Sequence, residues 1–153
     1  MSVQKPVRLL AIASGGGHWV QLLRLRPAWA DCDVVYASVH ADSAQDVPGA
    51  RFYSFTDASR RSLWRAPVVI MQMLWLLLRV RPQVIVTTGA MPPLFALMIG
   101  RLFGARTLWV DSIANSERLS GSGDLARRFA HQTITQWPDL ANGNDPAYWG
   151  SVL

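Results

Sequence analysis

The stretch that decides the fold is Val7-Arg8-Leu9-Leu10-Ala11-Ile12-Ala13-Ser14-Gly15-Gly16-Gly17-His18. An apolar run is followed by three glycines, and a helical pattern begins at Trp19, which predicts a strand, a tight turn and a helix. Glycine lets the backbone adopt positive φ and approach a ligand, and free amides at a helix start attract anions. The stretch predicts an anion site that favours phosphate, although the same residues also fit a plain turn capped by His18.

Three better-known glycine turns do not match this stretch. The dinucleotide fingerprint requires glycine where Val20 stands and an acid where Ser38 ends the next apolar run. A Walker loop requires Gly-Lys-Ser or Gly-Lys-Thr, and a serine-hydrolase elbow requires Gly-x-Ser-x-Gly; the sequence contains neither. Dinucleotide-binding, P-loop and serine-hydrolase chemistry are therefore not predicted.

Length and charge narrow the class of protein. The 153 residues are half hydrophobic, which suits one well-cored domain and leaves no room for two. A net charge of +5 favours anionic partners, either phosphates or an acidic membrane. Nucleic acid is not predicted, because no basic run alternates with aromatic residues. A single cysteine, Cys32, and the lack of a signal peptide indicate the cytosol.

Apolar runs and helical patterns alternate along the rest of the chain. Further strands are predicted at 33–38, 51–55, 83–89, 107–112 and 133–136. Helices are predicted at 63–80, 94–103 and 124–129, with loops at 40–48 and 56–62 and a loop or short helix over 137–150. The alternation predicts an α/β fold: a single Rossmann-like domain with a mostly parallel sheet and helices on both faces.

Ligands of such sheets bind beyond the carboxyl ends of the strands. The prediction therefore brings together the turn 14–18, the turn 87–91 and the pair Asp111-Ser112 on one rim. The other polar clusters predict no metal site, since His40 and Asp42 are too few to hold an ion and are expected on the surface. No cofactor is predicted.

The segment Leu63 to Val80 has almost no polar face. Its uncharged core, Ala66 to Leu78, is shorter than the roughly 20 residues that span a bilayer, so a transmembrane helix is not predicted. Flanking arginines and tryptophans indicate a segment that lies in a membrane interface. Its candidate lipid contacts are Trp64, Met71, Trp75, Leu78 and Arg79. A core helix or a subunit interface fits the same pattern.

Four segments resemble the Alg14-like family. They are Ser-Gly-Gly-Gly-His-Trp-Val-Gln-Leu-Leu at 14–23, Arg-Pro-Gln-Val-Ile-Val-Thr-Thr-Gly at 81–89, Val-Asp-Ser-Ile-Ala at 110–114 and Thr-Gln-Trp-Pro-Asp-Leu-Ala at 135–141. The family includes the acceptor-side, membrane-recruiting subunit of the dolichol-pathway N-acetylglucosaminyltransferase and bacterial relatives in exopolysaccharide synthesis. The resemblance implies half of a GT-B glycosyltransferase, similar to the N-terminal domain of MurG, whose UDP-sugar-binding half is a separate polypeptide.

The resemblance also implies partners and a location. One domain over 1–153 would end in a partner-docking tail at 137–153. The tail's candidate contacts with the donor-binding subunit are Trp137, Tyr148, Trp149, Val152 and Leu153. Eukaryotic members carry an N-terminal membrane helix that this sequence lacks, so membrane contact would fall to residues 63–80. The expected location is the cytoplasmic face of the inner membrane, as a peripheral protein.

The resulting hypothesis assigns a role to each rim residue. The diphosphate of a lipid-linked saccharide acceptor would lie over the rim residues Ser14, Gly15, Gly16, Gly17, Thr88, Gly89 and Ser112. His18 would act as base on the acceptor hydroxyl or orient it, and Asp111, where the family usually has glutamate, would orient His18 or contact the sugar. Two alternatives remain: a non-catalytic scaffold that anchors and activates its partner, and an independent phosphate- or nucleotide-binding domain.

Overall fold

A seven-stranded parallel sheet forms the centre of the computed structural model, which describes residues 2–152. The strands are β1 (Arg8–Ile12), β2 (Asp33–Ser38), β3 (Arg51–Ser54), β4 (Val84–Thr87), β5 (Arg106–Val110), β6 (Gln132–Thr135) and β7 (Ala147–Tyr148). Their order across the sheet is β3-β2-β1-β4-β5-β6-β7, and each neighbouring pair is parallel. The predicted α/β class is confirmed, and the glycine turn follows β1, an interior strand of the sheet.

Helices cover both faces of the sheet, as predicted. They are α1 (Gly17–Arg24), α2 (Ala66–Val80), α3 (Met91–Leu102) and α4 (Gly121–Ala126). Helix α1 and a 3-10 helix at Arg26–Trp29 pack on one face through Trp19, Leu22 and Trp29. Helices α2, α3 and α4 pack on the other face around the β-strand residues Leu10, Ile12 and Ile85. Strands buried on both sides read as continuous apolar runs, which explains why the sequence located them.

The structure corrects the predicted elements in three places. Residues 147–148 form β7, which pairs with β6, where a loop or short helix was expected. Two residues are too few to show an alternating pattern. Helix α4 begins earlier than predicted because Ser120, and not Asp124, caps it by accepting from the Gly123 amide. Helix α2 starts at Ala66, after a 3-10 helix at Arg60–Arg65.

Helix α2 has two different apolar faces. Its core face packs against the sheet through Val69, Met73, Leu76, Leu77 and Val80. Its outer face exposes an apolar stripe, which we define as Trp64, Val68, Met71, Trp75 and Leu78. The interval Arg60–Val80 has 21 residues, and an 18-residue window within it has a mean hydropathy of 1.4, so it is long and apolar enough to cross a membrane by length and composition. Helix α2 itself has 15 residues and is about 22 Å long.

Candidate functional site

The glycine turn joins β1 to α1 and leaves the start of this helix open. Strand β1 ends at Ile12 and α1 begins at Gly17, with Gly16 as the N-cap residue at φ +67°. Within residues 2–152, no side chain caps this end of α1, and Gly16 and Gly17 are exposed. The first amides of a helix have no partner inside it, and the helix dipole makes this end positive. The turn therefore presents uncapped donors to an anion.

His18 is fixed beside this turn by the loop after β4. Its Nδ1 lies 2.8 Å from the carbonyl oxygen of Thr88, and the Thr88 hydroxyl donates to the His18 carbonyl. A carbonyl oxygen can only accept, so Nδ1 carries the hydrogen and Nε2 carries the lone pair when the ring is neutral. Nε2 has no hydrogen-bond partner among the described residues. The half-buried ring is thus a proton acceptor of defined tautomer.

Gly89 makes room for the His18 ring. A Cβ on Gly89 would lie 2.8 Å from the ring atoms Cε1 and Nδ1, and Gly89 has φ +121°, where side chains are rarely tolerated. The Ser14 amide donates to the Gly89 carbonyl at 2.9 Å, and the Ser14 hydroxyl accepts from the Ala90 amide. The two turns predicted to share a rim therefore lie in direct contact.

Asp111 is buried and its carboxylate is fully hydrogen-bonded within the chain. Oδ1 accepts from the Trp109 indole at 3.0 Å and the Ser120 hydroxyl at 2.6 Å. Oδ2 accepts from the Asn115 amide group at 3.1 Å and the Ser120 backbone amide at 2.9 Å. The hydrogen bond that orients His18 comes from Thr88 and not from Asp111. The geometry shows Asp111 shaping the loop after β5, while a contact with the acceptor sugar stays a prediction.

Ser112 and Thr88 use their hydroxyls inside the protein. The Ser112 hydroxyl accepts from the side chain of Gln21 at 3.0 Å and from the Ala114 amide. Thr88 is also buried and its hydroxyl is bonded to His18. Both residues lie at the predicted rim, but their side chains support it from below. The exposed donors at the rim are the backbone amides of the glycine turn.

His40 is a residue that sequence reasoning placed in an ordinary surface loop. The structure places its ring against the glycine turn, where a Cβ on Gly15 would lie 2.6 Å from the His40 Nε2. His40 follows β2, the neighbour of β1, so its position at the same rim could have been inferred from the parallel sheet. Two imidazoles, His18 and His40, therefore flank the three glycines.

The third histidine, His131, lies at the opposite end of the sheet. It precedes β6, and its Nδ1 accepts from the Thr107 amide at 3.2 Å. Desolvation lowers the pKa of His131, and the positive charges of Arg101 and Arg106 lower it further. His131 is therefore separate from the rim chemistry.

The predicted partner contacts divide into two groups. Trp137 is half-buried and its indole donates to the Ile113 carbonyl at 2.7 Å, so it packs on its own domain. Tyr148 and Trp149 are exposed around β7. Trp149, Gly150, Ser151 and Val152 border an apolar cavity of about 440 Å³ over β1, β4, β5 and β6. Leu153 lies outside the described residues.

Acidic and basic residues are unevenly distributed along the chain. All ten acidic residues lie outside residues 58–110, which contain seven arginines. Five of these arginines flank the apolar stripe at positions 60, 61, 65, 79 and 81, and all five are exposed. The guanidinium of Arg65 stacks over the Trp64 ring at 4.8 Å. The outer face of α2 is therefore apolar with cationic ends.

Known proteins share parts of this sequence and most of its fold. No protein-family model matches the chain. A 48-residue segment is 46% identical to the UDP-N-acetylglucosamine transferase subunit ALG14 of Eremothecium gossypii, covering 31% of this chain and 21% of that protein. The subunit of the same name from Mus musculus is 24% identical over 171 residues, covering 90% of this chain and 78% of that protein.

Solved structures give the same architecture. MurG from Acinetobacter baumannii has a TM-score of 0.76 at 11% identity, covering 94% of this chain and 45% of that one. A UDP-GlcNAc 2-epimerase from Methanocaldococcus jannaschii has a TM-score of 0.61 at 11% identity, covering 84% of this chain and 39% of that one. The chain thus spans less than half the length of these structures. At such identities the likeness shows the fold, the Rossmann-like half of a GT-B protein.

Proposed function

Because the chain is an Alg14-like protein with a MurG-like fold, we propose that it is the acceptor-binding subunit of a two-component glycosyltransferase. A second polypeptide would bind a UDP-sugar, and this chain would bind a lipid-diphosphate-linked saccharide at the membrane. The observation that carries the proposal is that, within residues 2–152, His18 Nε2 has no hydrogen-bond partner and lies beside a helix start without a side-chain cap. The relatives from Eremothecium gossypii and Mus musculus are named as subunits of a UDP-N-acetylglucosamine transferase, which supports a donor-binding half on another chain.

The acceptor diphosphate is proposed to lie over Gly15, Gly16 and Gly17. Backbone amides and the positive end of the α1 dipole would hold the phosphate oxygens. Ser14 and Gly89 fix the turn through their backbone hydrogen bond, and the buried hydroxyls of Thr88 and Ser112 support it from below.

His18 is proposed as the general base. The acceptor hydroxyl would give its proton to Nε2 as its oxygen forms a bond to the anomeric carbon of the UDP-sugar. The bond from that carbon to UDP breaks, UDP leaves with the electron pair, and the imidazolium later releases the proton to solvent. Thr88 keeps the required tautomer by accepting from Nδ1. A neutral imidazole has one N–H and one ring-nitrogen lone pair, so Nε2 can accept this proton.

The apolar stripe is proposed to contact the membrane at the cytoplasmic face of the inner membrane. Trp64 and Trp75 are 75% and 57% exposed, a large apolar area for a water-facing helix. The flanking arginines would meet anionic headgroups, and no acidic residue within 58–110 opposes them. The same like charges disfavour pairing of the stripe with a second copy of itself. The lipid of the acceptor would then lie along the same surface.

The stripe can be tested with vesicles that contain anionic lipid. Met71→Gln combined with Trp75→Gln is expected to weaken sedimentation with these vesicles about tenfold, because two apolar side chains that would enter the bilayer are lost. Leu125→Gln, an exposed apolar position on α4, is the matched control and should not change binding. Undiminished binding of the double variant would remove α2 from the proposal.

The partner contact is proposed at Tyr148, at Trp149, which borders the apolar cavity, and at Leu153. Exposed aromatic side chains at the end of a sheet are common anchors of protein interfaces. Trp137 would support this surface indirectly, through its bond to Ile113.

Reconstitution with the donor-binding subunit tests the whole proposal. The pair should transfer sugar from a UDP-sugar to a lipid-diphosphate saccharide, and neither chain alone should do so. Activity of the partner alone in detergent with a soluble acceptor would favour a scaffold. Tight binding of a UDP-sugar by this chain alone would favour an independent nucleotide-binding domain.

A further inference from the structure

A buried network of polar side chains lies beneath the rim. Gln21, Ser112 and Gln136 are each more than nine-tenths buried. The Gln21 side chain donates to the Ser112 hydroxyl at 3.0 Å and accepts from the Ile113 amide at 3.1 Å. The Gln136 amide group donates to Gln21 Oε1 at 2.7 Å. Buried amides are costly unless they are paired, so the network fixes the segments that it joins.

Gln136 joins three segments through one side chain. Its Nε2 donates to Gln21 on α1 and, at 2.9 Å, to the Asp111 carbonyl in the loop after β5. Its Oε1 accepts from the backbone amide of Val152 at 2.9 Å. The C-terminal segment, residues 149–152, is therefore connected to α1 through this buried amide group, and also at the surface, where the Arg24 guanidinium donates to the Val152 carbonyl at 3.4 Å.

Gln21 lies close to His18 on the same short helix. The two residues are three positions apart, less than one turn of α1, which has eight residues. The core anchors of α1 are Trp19 and Leu22, while Gln21 is its polar anchor. A change in the Gln21 bond to Gln136 would therefore move the helix that carries the proposed base.

We propose that Gln136 is a positioning residue that couples the seating of residues 149–152 to the placement of His18. The inference rests on the proposed function, in which this segment adjoins the partner contact and His18 accepts the acceptor proton. A partner bound at Tyr148 and Trp149 maintains the hydrogen bond from the Val152 amide to Gln136. Gln136 in turn holds the position of α1 through its bond to Gln21. The site would then reach its active geometry when the donor-binding subunit is in place.

Two substitutions separate the functions of this amide. Gln136→Glu keeps an oxygen for the Val152 amide but loses the donors to Gln21 and Asp111, whereas Gln136→Leu loses both sets. Each is expected to lower kcat of the reconstituted pair about ten- to a hundredfold, since small misplacement of a catalytic group has effects of this size. The KM for the UDP-sugar should not change. A Gln136→Glu variant with the kcat of the unaltered pair would overturn the proposal.

Thr133→Val is the matched control. Thr133 is on β6, the strand that directly precedes Gln136; it is 1% exposed, and its hydroxyl has no hydrogen-bond partner within residues 2–152. The control should keep the kcat of the unaltered pair. A double variant, Gln21→Leu with Gln136→Leu, should lose less activity than the product of the two single losses, because the bond between Gln21 and Gln136 is missing in each single variant. Independent, multiplying losses would contradict the coupling.

The NMR signal of His18 Cε1–H gives a readout that a purely structural role would not move. In the chain bound to its partner, Gln136→Leu is expected to change the chemical shift of this signal, and Thr133→Val is not. A lower melting temperature of Gln136→Leu with unchanged kcat and His18 signal would overturn the inference. If the unaltered pair transfers no sugar, the proposed function fails, but the His18 signal still tests the coupling.

Discussion

The turn after β1 and the loop after β5 lie at the same rim but differ in hydrogen bonding: polar groups of the turn are left without partners, whereas those of the loop are paired within the chain. In residues 14–17, the amides at the start of α1 have no side-chain cap in the described structure. In residues 111–120, each carboxylate oxygen of Asp111 accepts two hydrogen bonds from its own chain. Unpaired donors at the carboxyl edge of a parallel sheet indicate a ligand-binding site, whereas acceptors that are fully hydrogen-bonded within the chain indicate a structural role in holding the loop.

The residue types explain this difference. Glycine offers no side chain that could fold back on the amides, so the turn after β1 depends on a ligand or on water. The loop after β5 contains Asn115 and Ser120, whose short polar side chains satisfy Asp111 locally. Loss of function without loss of fold should therefore map to the first turn, and loss of fold to the second.

The largest expected effect separates the two regions directly. His18→Ala should lower turnover of the reconstituted pair by about 10²- to 10⁴-fold, the usual contribution of a general base. Its melting temperature and its binding to the partner should stay unchanged, because the half-buried ring makes one hydrogen bond. His131→Gln, at the other end of the sheet, is the control for loss of an imidazole. Normal turnover of His18→Ala would remove this residue from the mechanism and favour the scaffold.

The second prediction concerns stability. Asp111→Asn should reduce the free energy of unfolding by about 3 kcal/mol, because an amide NH₂ would replace an acceptor that faces donors of Trp109, Asn115 and Ser120. Urea denaturation measures this change.

Asp57→Asn, an exposed carboxylate, should stay within about 0.5 kcal/mol and serves as the control. If Asp111→Asn folds with unchanged stability and yet loses turnover, the loop after β5 takes part in the chemistry. The contrast between the two regions would then be wrong.

The sequence predicted most of the sheet because its strands are buried on both faces and their apolar runs are uninterrupted. It also predicted the shared rim, since a parallel sheet brings its strand ends together. It could not assign the partner of His18, because the Thr88 carbonyl is a backbone atom that any residue supplies. His40 was missed for a different reason: the parallel pairing of β2 with β1 implies its position at the rim, but the local pattern of residues 40–48 shows only a polar loop. The network of Gln21 and Gln136 depends on contacts across 115 residues.

The smallest expected effect tests how closely the first turn is fitted around His18. In Gly89→Ala, the new Cβ would occupy space now taken by the His18 ring, so the ring must leave the Thr88 carbonyl. Turnover should fall about tenfold, in line with a base displaced by a fraction of an ångström. Gly104→Ala is the matched control, since Gly104 also has positive φ, at +85°, but a Cβ there meets nothing within 4 Å. Both variants carry the strain of an alanine in this region of φ, and only the first moves His18. Equal losses of turnover in the two variants would mean that backbone strain, and not the placement of the imidazole, causes the effect. Activity would then not depend on the exact position of the His18 ring, and the contrast between the two regions would be weakened.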